Sequence, residues 1–237
     1  MQLFFNKTIS LTDKEIIFSR EESKHIVKVL RKSIDDEVYI TNGIGTLFTA
    51  KITIATPNKC IAEIVKNETH PKANLNIHLA VAPTKMNDRY EWFLEKATEI
   101  GVQEITPIIC DHSERKTIKT ERLKKIIQSA TKQCLRFHMP KINEPVPYRE
   151  FIKNHKDETL LIAHCEETER TSIKTIINTS ASDSFTILIG PEGDFSTSEI
   201  KLAKANKYIP VTLGNTRLRT ETAAIVATHS IVYSKME

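Results

Sequence analysis

The chain has 237 residues, of which 40% are hydrophobic and 27% charged, with a formal net charge of +4. That composition fits an ordinary globular protein of one large or two smaller domains and excludes a disordered or low-complexity chain. The mild net charge implies no general affinity for polyanions. Four cysteines (Cys60, Cys110, Cys134, Cys165) show no CxxC pair and no metal-like spacing with histidine, so a reduced, cytoplasmic protein without a metal centre is expected. The opening "MQLFFNKT" lacks the pattern of a signal peptide, and no apolar window is long enough for a bilayer, so no membrane role is expected.

Residues 1 to about 70 read as short strands: "EIIFS" (15–19), "EVYITN" (37–42), "LFTAKITIA" (47–55) and "KCIAEIV" (59–65), separated by "NGIG" and "TPNK" turns. One helix, "REESKHIVKVLR", interrupts them and places Ile26, Val27 and Leu30 on one face. This is the texture of a small β-barrel, followed by a linker at "HPKAN" (70–74).

Strand and helix then alternate. Strands are predicted at 75–82, 104–110, 159–164, 185–190 and 209–213, with helices at 86–100, 120–136, 196–206 and 218–234. Tyr90, Phe93, Leu94, Ala97 and Ile100 recur at helical spacing, and Gly101 closes that helix. The order predicts a parallel sheet with helices on both faces, Rossmann-like in its layers. Yet no GxGxxG follows the first strand, where "VAPTKMND" stands, and no GxxxxGK[ST] occurs, so phosphate cradling of a nucleotide is not expected.

The glycine-bearing loops come late. "ILIGPEGDFSTSEI" (187–200) is a buried strand that stops at Gly190-Pro191-Glu192-Gly193, then a helix start with Ser196 or Ser198 as N-cap and Glu199 completing a capping box. Leu213 and Gly214 precede "NTRLRTETAAIVA" after another strand. In a parallel sheet both loops open on the carboxyl edge, where such folds bind ligands. Side by side they offer main-chain groups to a flat, uncharged heterocycle, an adenosine-type pocket. In "RLRTETAA", Thr220 is a candidate N-cap, Glu221 falls in the first turn, and Arg217 and Arg219 bracket the approach. Residues 112–136 hold eight Lys/Arg against two Glu, a local +6 that exceeds the net charge of the whole chain. Their helix turns Leu123, Ile126, Ile127 and Ala130 inward, which leaves the cations for a polyanion surface.

Taken together, "HIVKVLR", "DRYEWFLEKATEIGVQEITP", "QCLR" with Pro140, "ILIGPEGDFSTSEI" and "LGNTRLRTETAAIVA" resemble the bacterial ribosomal RNA uridine-N3 methyltransferases (RsmE-like) of the SPOUT superfamily, in order and over nearly the full length. The chain departs from that family's pattern at Asp194, commonly glycine, and at Thr216 and Arg217, commonly arginine then an aliphatic. The resemblance implies an α/β fold: a C-terminal SPOUT-type parallel-sheet domain with a trefoil knot over 71–237, and a PUA-like RNA-binding β-barrel over 1–70. It implies a homodimer with the active site at the subunit interface, acting on 16S ribosomal RNA within the small ribosomal subunit. It also implies S-adenosylmethionine as cofactor, held in a bent shape by His164, Gly190, Pro191, Glu192, Gly193, Leu213, Gly214, Leu218, Thr222 and Ala223.

In the implied reaction, a uracil nitrogen displaces the sulfonium methyl group. Arg219 is the candidate for stabilising the uracil anion, while Glu221 either orients Arg219, accepts the proton, or simply holds its helix N-terminus. RNA contacts are expected from Lys24, Lys28 and Arg31 on the first helix, and from Arg115, Lys116 and Arg136 in the basic segment. The alternatives are another SPOUT RNA methyltransferase (ribose 2′-O or transfer RNA), or a non-enzymatic RNA-binding or ribosome-assembly protein.

Overall fold

A computed structural model describes residues 1–154, 159–166 and 169–235. The chain forms two compact units: Met1–Lys72 with Thr131–Met139, and Ala73–Ala130 with Pro140–Glu237.

In the first unit, β1 (Leu3–Phe5), β2 (Glu15–Ile17), β3 (Glu37–Thr41), β4 (Thr46–Thr56) and β5 (Lys59–Thr69) form one sheet in the order β1-β3-β4-β5-β2. Only β1–β3 is parallel among its pairs. Along β4, Phe48, Ala50 and Ile52 fall on one face by the two-residue period of a strand, and they pack with Phe4, Phe18, Val38 and Ile40. Helix α1 (Arg20–Lys24) begins with a capping box in which Ser19 and Glu22 satisfy each other's backbone N–H groups. The predicted single α-helix does not continue to Arg31. The chain widens into a π turn over His25–Val29, where Leu30 N–H bonds to His25 O at 3.0 Å, and Arg31 leaves it with φ +54°. Ile26 still reaches the core, fully buried. Residues from much later in the chain complete this unit: Phe137 O accepts from Gly45 N–H, and Met139 N–H donates to Gly43 O, both at 2.9 Å.

The second unit contains β6 (Asn76–Val81), α2 (Asn87–Ile100), β7 (Glu104–Ile109), α3 (Thr120–Gln133), β8 (Lys141–Ile142), β9 (Val146–Pro147), α4 (Tyr148–Lys153), β10 (Thr159–Ala163), β11 (Thr171–Ser172), α5 (Ile173–Thr179), β12 (Ser184–Ile189), α6 (Thr197–Ala205), β13 (Ile209–Thr212) and α7 (Thr220–Lys235); α3 runs past its boundary into the segment Thr131–Met139. The sheet is parallel in every pair, ordered β11-β13-β10-β12-β6-β7-β8, with β9 also on β7. β6 and β12 lie at its centre and are buried on both faces, which explains their unbroken apolar runs. On one face Ala80, Ile108, Ile162 and Leu188 pack against Tyr148, Phe151, Ile200 and Ala203 of α4 and α6. The other face is covered by α7, which packs on β6, β12, α2 and α5. Helices thus cover both faces, as the alternation predicted. The late loops are not side by side, however, because β10 lies between β12 and β13.

Candidate functional site

β10, β12 and β13 run parallel, so their carboxyl ends open on one edge of the sheet. There Ala163 and Cys165, the run Ile189–Glu192 with Asp194, and Arg217–Thr220 with Ala223 enclose a cleft of about 260 Å³. A smaller recess of about 70 Å³ adjoins it, sharing Ala163, Cys165, Leu218 and Ala223 and adding His164, Arg170, Leu213 and Gly214.

The "GPEG" loop is shaped by specific bonds. A Cβ on Gly190 would stand 3.1 Å from the Phe195 ring, so glycine lets that ring pack against the strand end. Asp194 adopts φ +62°, a conformation few side chains accept, and its carboxylate compensates. Oδ2 accepts from Cys165 N–H at 2.7 Å, and Oδ1 from its neighbour Phe195 N–H at 2.8 Å. Asp194 thereby fastens the end of β10 to the loop after β12. Ser196 is the N-cap of α6, and Glu199 completes the predicted capping box. Glu199 is also buried and accepts from Asp111 N–H at 2.9 Å.

Thr220 has a different role from the expected cap. It is the first residue of α7, and its hydroxyl donates to Gly190 O at 3.0 Å, tying the helix start to the end of β12. The residue before it, Arg219, supplies the carbonyl that accepts from Ala223 N–H at 2.8 Å. Arg217 and Arg219 are exposed and line the cleft. Glu221 is buried, yet its ion pair is with Arg89 of α2 (4.0 Å), and its Oε2 has no partner among the described residues. The sequence reading missed Arg89. Its signal was a cation in the first turn of a helix, where the dipole disfavours positive charge unless a carboxylate is near.

Of the residues expected to hold a cofactor, His164, Gly190, Pro191, Glu192, Leu213, Gly214, Leu218 and Ala223 line the cleft or its recess. Gly193 and Thr222 line neither; a side chain on Gly193 would face His112, whose Cβ stands 3.2 Å away. Glu192 accepts from Lys85 N–H at 2.9 Å through Oε1, so part of its carboxylate holds the loop after β6. His164 is only 4% exposed, with both ring nitrogens unpartnered among the described residues. Burial is the main cause holding its pKa below the ordinary imidazole value; Asp194 opposes the shift and Arg170 adds to it. Gly214 has φ +142° and open space where a side chain would stand. A neutral buried imidazole without partners among the described residues, beside apolar walls from Ile189, Leu218 and Ala223, suits an adenosine-like group.

Lys24 and Lys28 are exposed beside a surface hollow with Arg20 and Asn58, and Arg31 is exposed beyond the π turn. Arg115 is half-buried and donates to Lys85 O at 2.7 Å, so it is part of the framework as well as a cation. Lys116 is exposed, and Arg136 is half-buried in the segment that completes the first unit. Among the described residues no cluster of His, Cys, Asp or Glu is placed to hold a metal, and no helix is long and apolar enough to cross a membrane.

Comparison with known proteins adds independent findings. Residues 71–232 match the family described as RNA methyltransferase domain, and residues 18–65 match that described as RNA methyltransferase PUA domain. The chain is 34% identical over 226 residues to ribosomal RNA small subunit methyltransferase E of Buchnera aphidicola subsp. Acyrthosiphon pisum, covering 90% of this chain and 86% of that protein. Among solved structures, a "probable rRNA-methyltransferase" from Porphyromonas gingivalis superposes with TM-score 0.89 at 38% identity, over 98% of this chain and 99% of that one. Ribosomal RNA small subunit methyltransferase E from Neisseria gonorrhoeae, solved bound to S-adenosyl methionine, superposes with TM-score 0.85 at 25% identity, over 98% and 96%.

Proposed function

The chain belongs to the ribosomal RNA small subunit methyltransferase E family, and on that premise we propose that it transfers a methyl group from S-adenosylmethionine to N3 of one uridine in 16S ribosomal RNA. The observation that carries the reading is the cleft at the carboxyl ends of β10, β12 and β13, with Arg219 on its wall and, beside it, His164, which has no hydrogen-bond partner among the described residues.

His164, Gly190, Pro191, Leu213, Gly214, Leu218 and Ala223 would hold the cofactor, whose sulfonium supplies an electrophilic methyl group. The remaining work falls to the protein. Uracil N3 carries a proton that must leave, and negative charge develops on the ring as it does. Arg219 is exposed on the cleft wall, where its guanidinium can meet that charge. Glu221 acts as a positioning residue: it is buried, paired with Arg89, and holds α2 to the first turn of α7. The chain acts as a homodimer in the cytoplasm, on RNA of the small ribosomal subunit. Half-exposed Trp92 on α2 and exposed Tyr233 on α7, two helices that pack together, are apolar surface that a partner subunit could cover.

The reading is tested by incubating small subunits from a strain lacking the gene with the protein and methyl-labelled cofactor, then digesting the RNA for mass spectrometry. One 3-methyluridine is expected in 16S RNA. Label on a ribose, or only on transfer RNA, overturns it.

A further inference from the structure

We propose that a second cavity of the α/β unit, separate from the cofactor cleft, seats one backbone phosphate of the RNA substrate. The proposal rests on the reading of the chain as an RNA methyltransferase. The cavity holds about 320 Å³ between α2 and α3, and its polar lining comes chiefly from Asn87, Glu91, Arg115, Lys119 and Arg122.

Its charge is one-sided. Glu91 is the single carboxylate of the lining, and Arg122 occupies both its oxygens, at 2.6 and 3.0 Å. Arg115 and Lys119 have no ion pair among the described residues, so two cations face the space uncompensated. Arg115 is also held in place. Its Nη2 donates to Lys85 O at 2.7 Å, while its Nε is buried with no acceptor among the described residues. A guanidinium fixed by one arm, with another buried N–H unused, is a preorganised donor for an anion. Among the described residues no aromatic side chain lines the cavity, so the geometry points to a phosphate rather than a stacked base. Such a contact positions the RNA without reading its sequence. The N–H of Lys85 donates to Glu192 of the cofactor loop, so the phosphate seat and that loop are tied to the same residue through its two neighbouring peptide groups.

Arg115→Gln, Lys119→Gln and the double variant test the proposal, since Lys119→Gln leaves the bond to Lys85 untouched. RNA affinity is measured against salt with a fragment of 16S RNA, and cofactor affinity by calorimetry. Each single variant should bind RNA several-fold more weakly with a shallower salt slope, and the double variant should lose about one unit of slope, as expected for one phosphate. Cofactor affinity of Lys119→Gln should stay within about twofold of the parent protein, well under the tenfold of one lost strong interaction. An unchanged slope in both single variants overturns the phosphate seat, and a loss of about two units in the double variant overturns a single shared phosphate. If the unaltered protein neither binds nor methylates the RNA, the functional reading itself fails, which is a distinguishable result.

Discussion

The two units treat their buried polar groups differently. In the five-stranded unit such groups are used up locally: Ser23 Oγ donates to Phe18 O and accepts from Cys60 N–H, while Asn42 Oδ1 accepts from Ile44 and Thr46 N–H. His70 Nε2 is its exception among the described residues. The α/β unit leaves His164, Glu192 Oε2, Glu221 Oε2 and Arg115 Nε without partners among the described residues. Evenly scattered orphans would signal poor packing. Orphans gathered around loops at the carboxyl edge, in a sheet whose core is otherwise closed, mark places shaped for something other than the chain itself.

The strongest way to break this contrast is Arg219→Ala. If Arg219 meets the charge that develops on the base, as proposed, its loss should cut the single-turnover rate by about a hundredfold or more, with cofactor affinity little changed. A rate within about twofold of the parent would remove Arg219 from the chemistry.

Asp194→Gly comes next. Glycine keeps the positive φ but loses the bonds to Cys165 and Phe195 N–H. A bond to a charged acceptor contributes about 1.5–3 kcal/mol, so roughly tenfold weaker cofactor binding is expected. Faster hydrogen exchange at the Cys165 amide should accompany it. Equal affinity in a folded variant would show that the latch does not shape the cleft.

A smaller effect is expected from pH at His164. Its folded pKa lies below the ordinary imidazole value, chiefly through burial, so the unfolded chain takes up the proton first. The contribution to stability is therefore complete above the ordinary value and is lost as pH falls through the depressed one. If the neutral ring receives the cofactor, affinity should follow the same course, by a few-fold, and His164→Phe should flatten it. A pH profile identical in both proteins would place the titrating group elsewhere.

The smallest change should come from reversing Lys28 and Arg31 in the first unit. The proposed dimer and cofactor affinity should be unaffected, while RNA affinity falls and its salt slope becomes shallower. An unchanged slope with normal methylation would show that this face does not touch the RNA.

How much of this was legible depended on the distance between the residues involved. The Ser196–Glu199 capping box and the Gly101 terminus were readable because each spans a few residues. The same holds for the central strands, whose burial on both faces writes itself as an apolar run. The expected α/β fold class, a parallel-sheet RNA methyltransferase domain with a small PUA-like unit, is the one the chain adopts. Helices α4 and α5 escaped because six or seven residues hold too few turns for a periodicity to emerge. The π turn escaped because its i→i+5 bond leaves no mark in composition. The Asp194 latch, the Arg89–Glu221 pair and the place of β10 join residues dozens to more than a hundred positions apart, and only the folded sheet brings them together.

The placement of β12 also has a consequence for synthesis. This strand inserts between β6 and β10, both made earlier, and its end is tied to Thr220, thirty residues later. A growing chain therefore cannot close the centre of its sheet until most of the protein has left the ribosome. The cleft proposed for the cofactor is completed later still, when Thr220 arrives. Long-range pairing of this kind folds slowly, and the cofactor cannot stabilise an early intermediate because its walls do not yet exist. Acquiring the capacity to bind it should be among the last events of folding, which makes the binding of radiolabelled cofactor a clock for the final step.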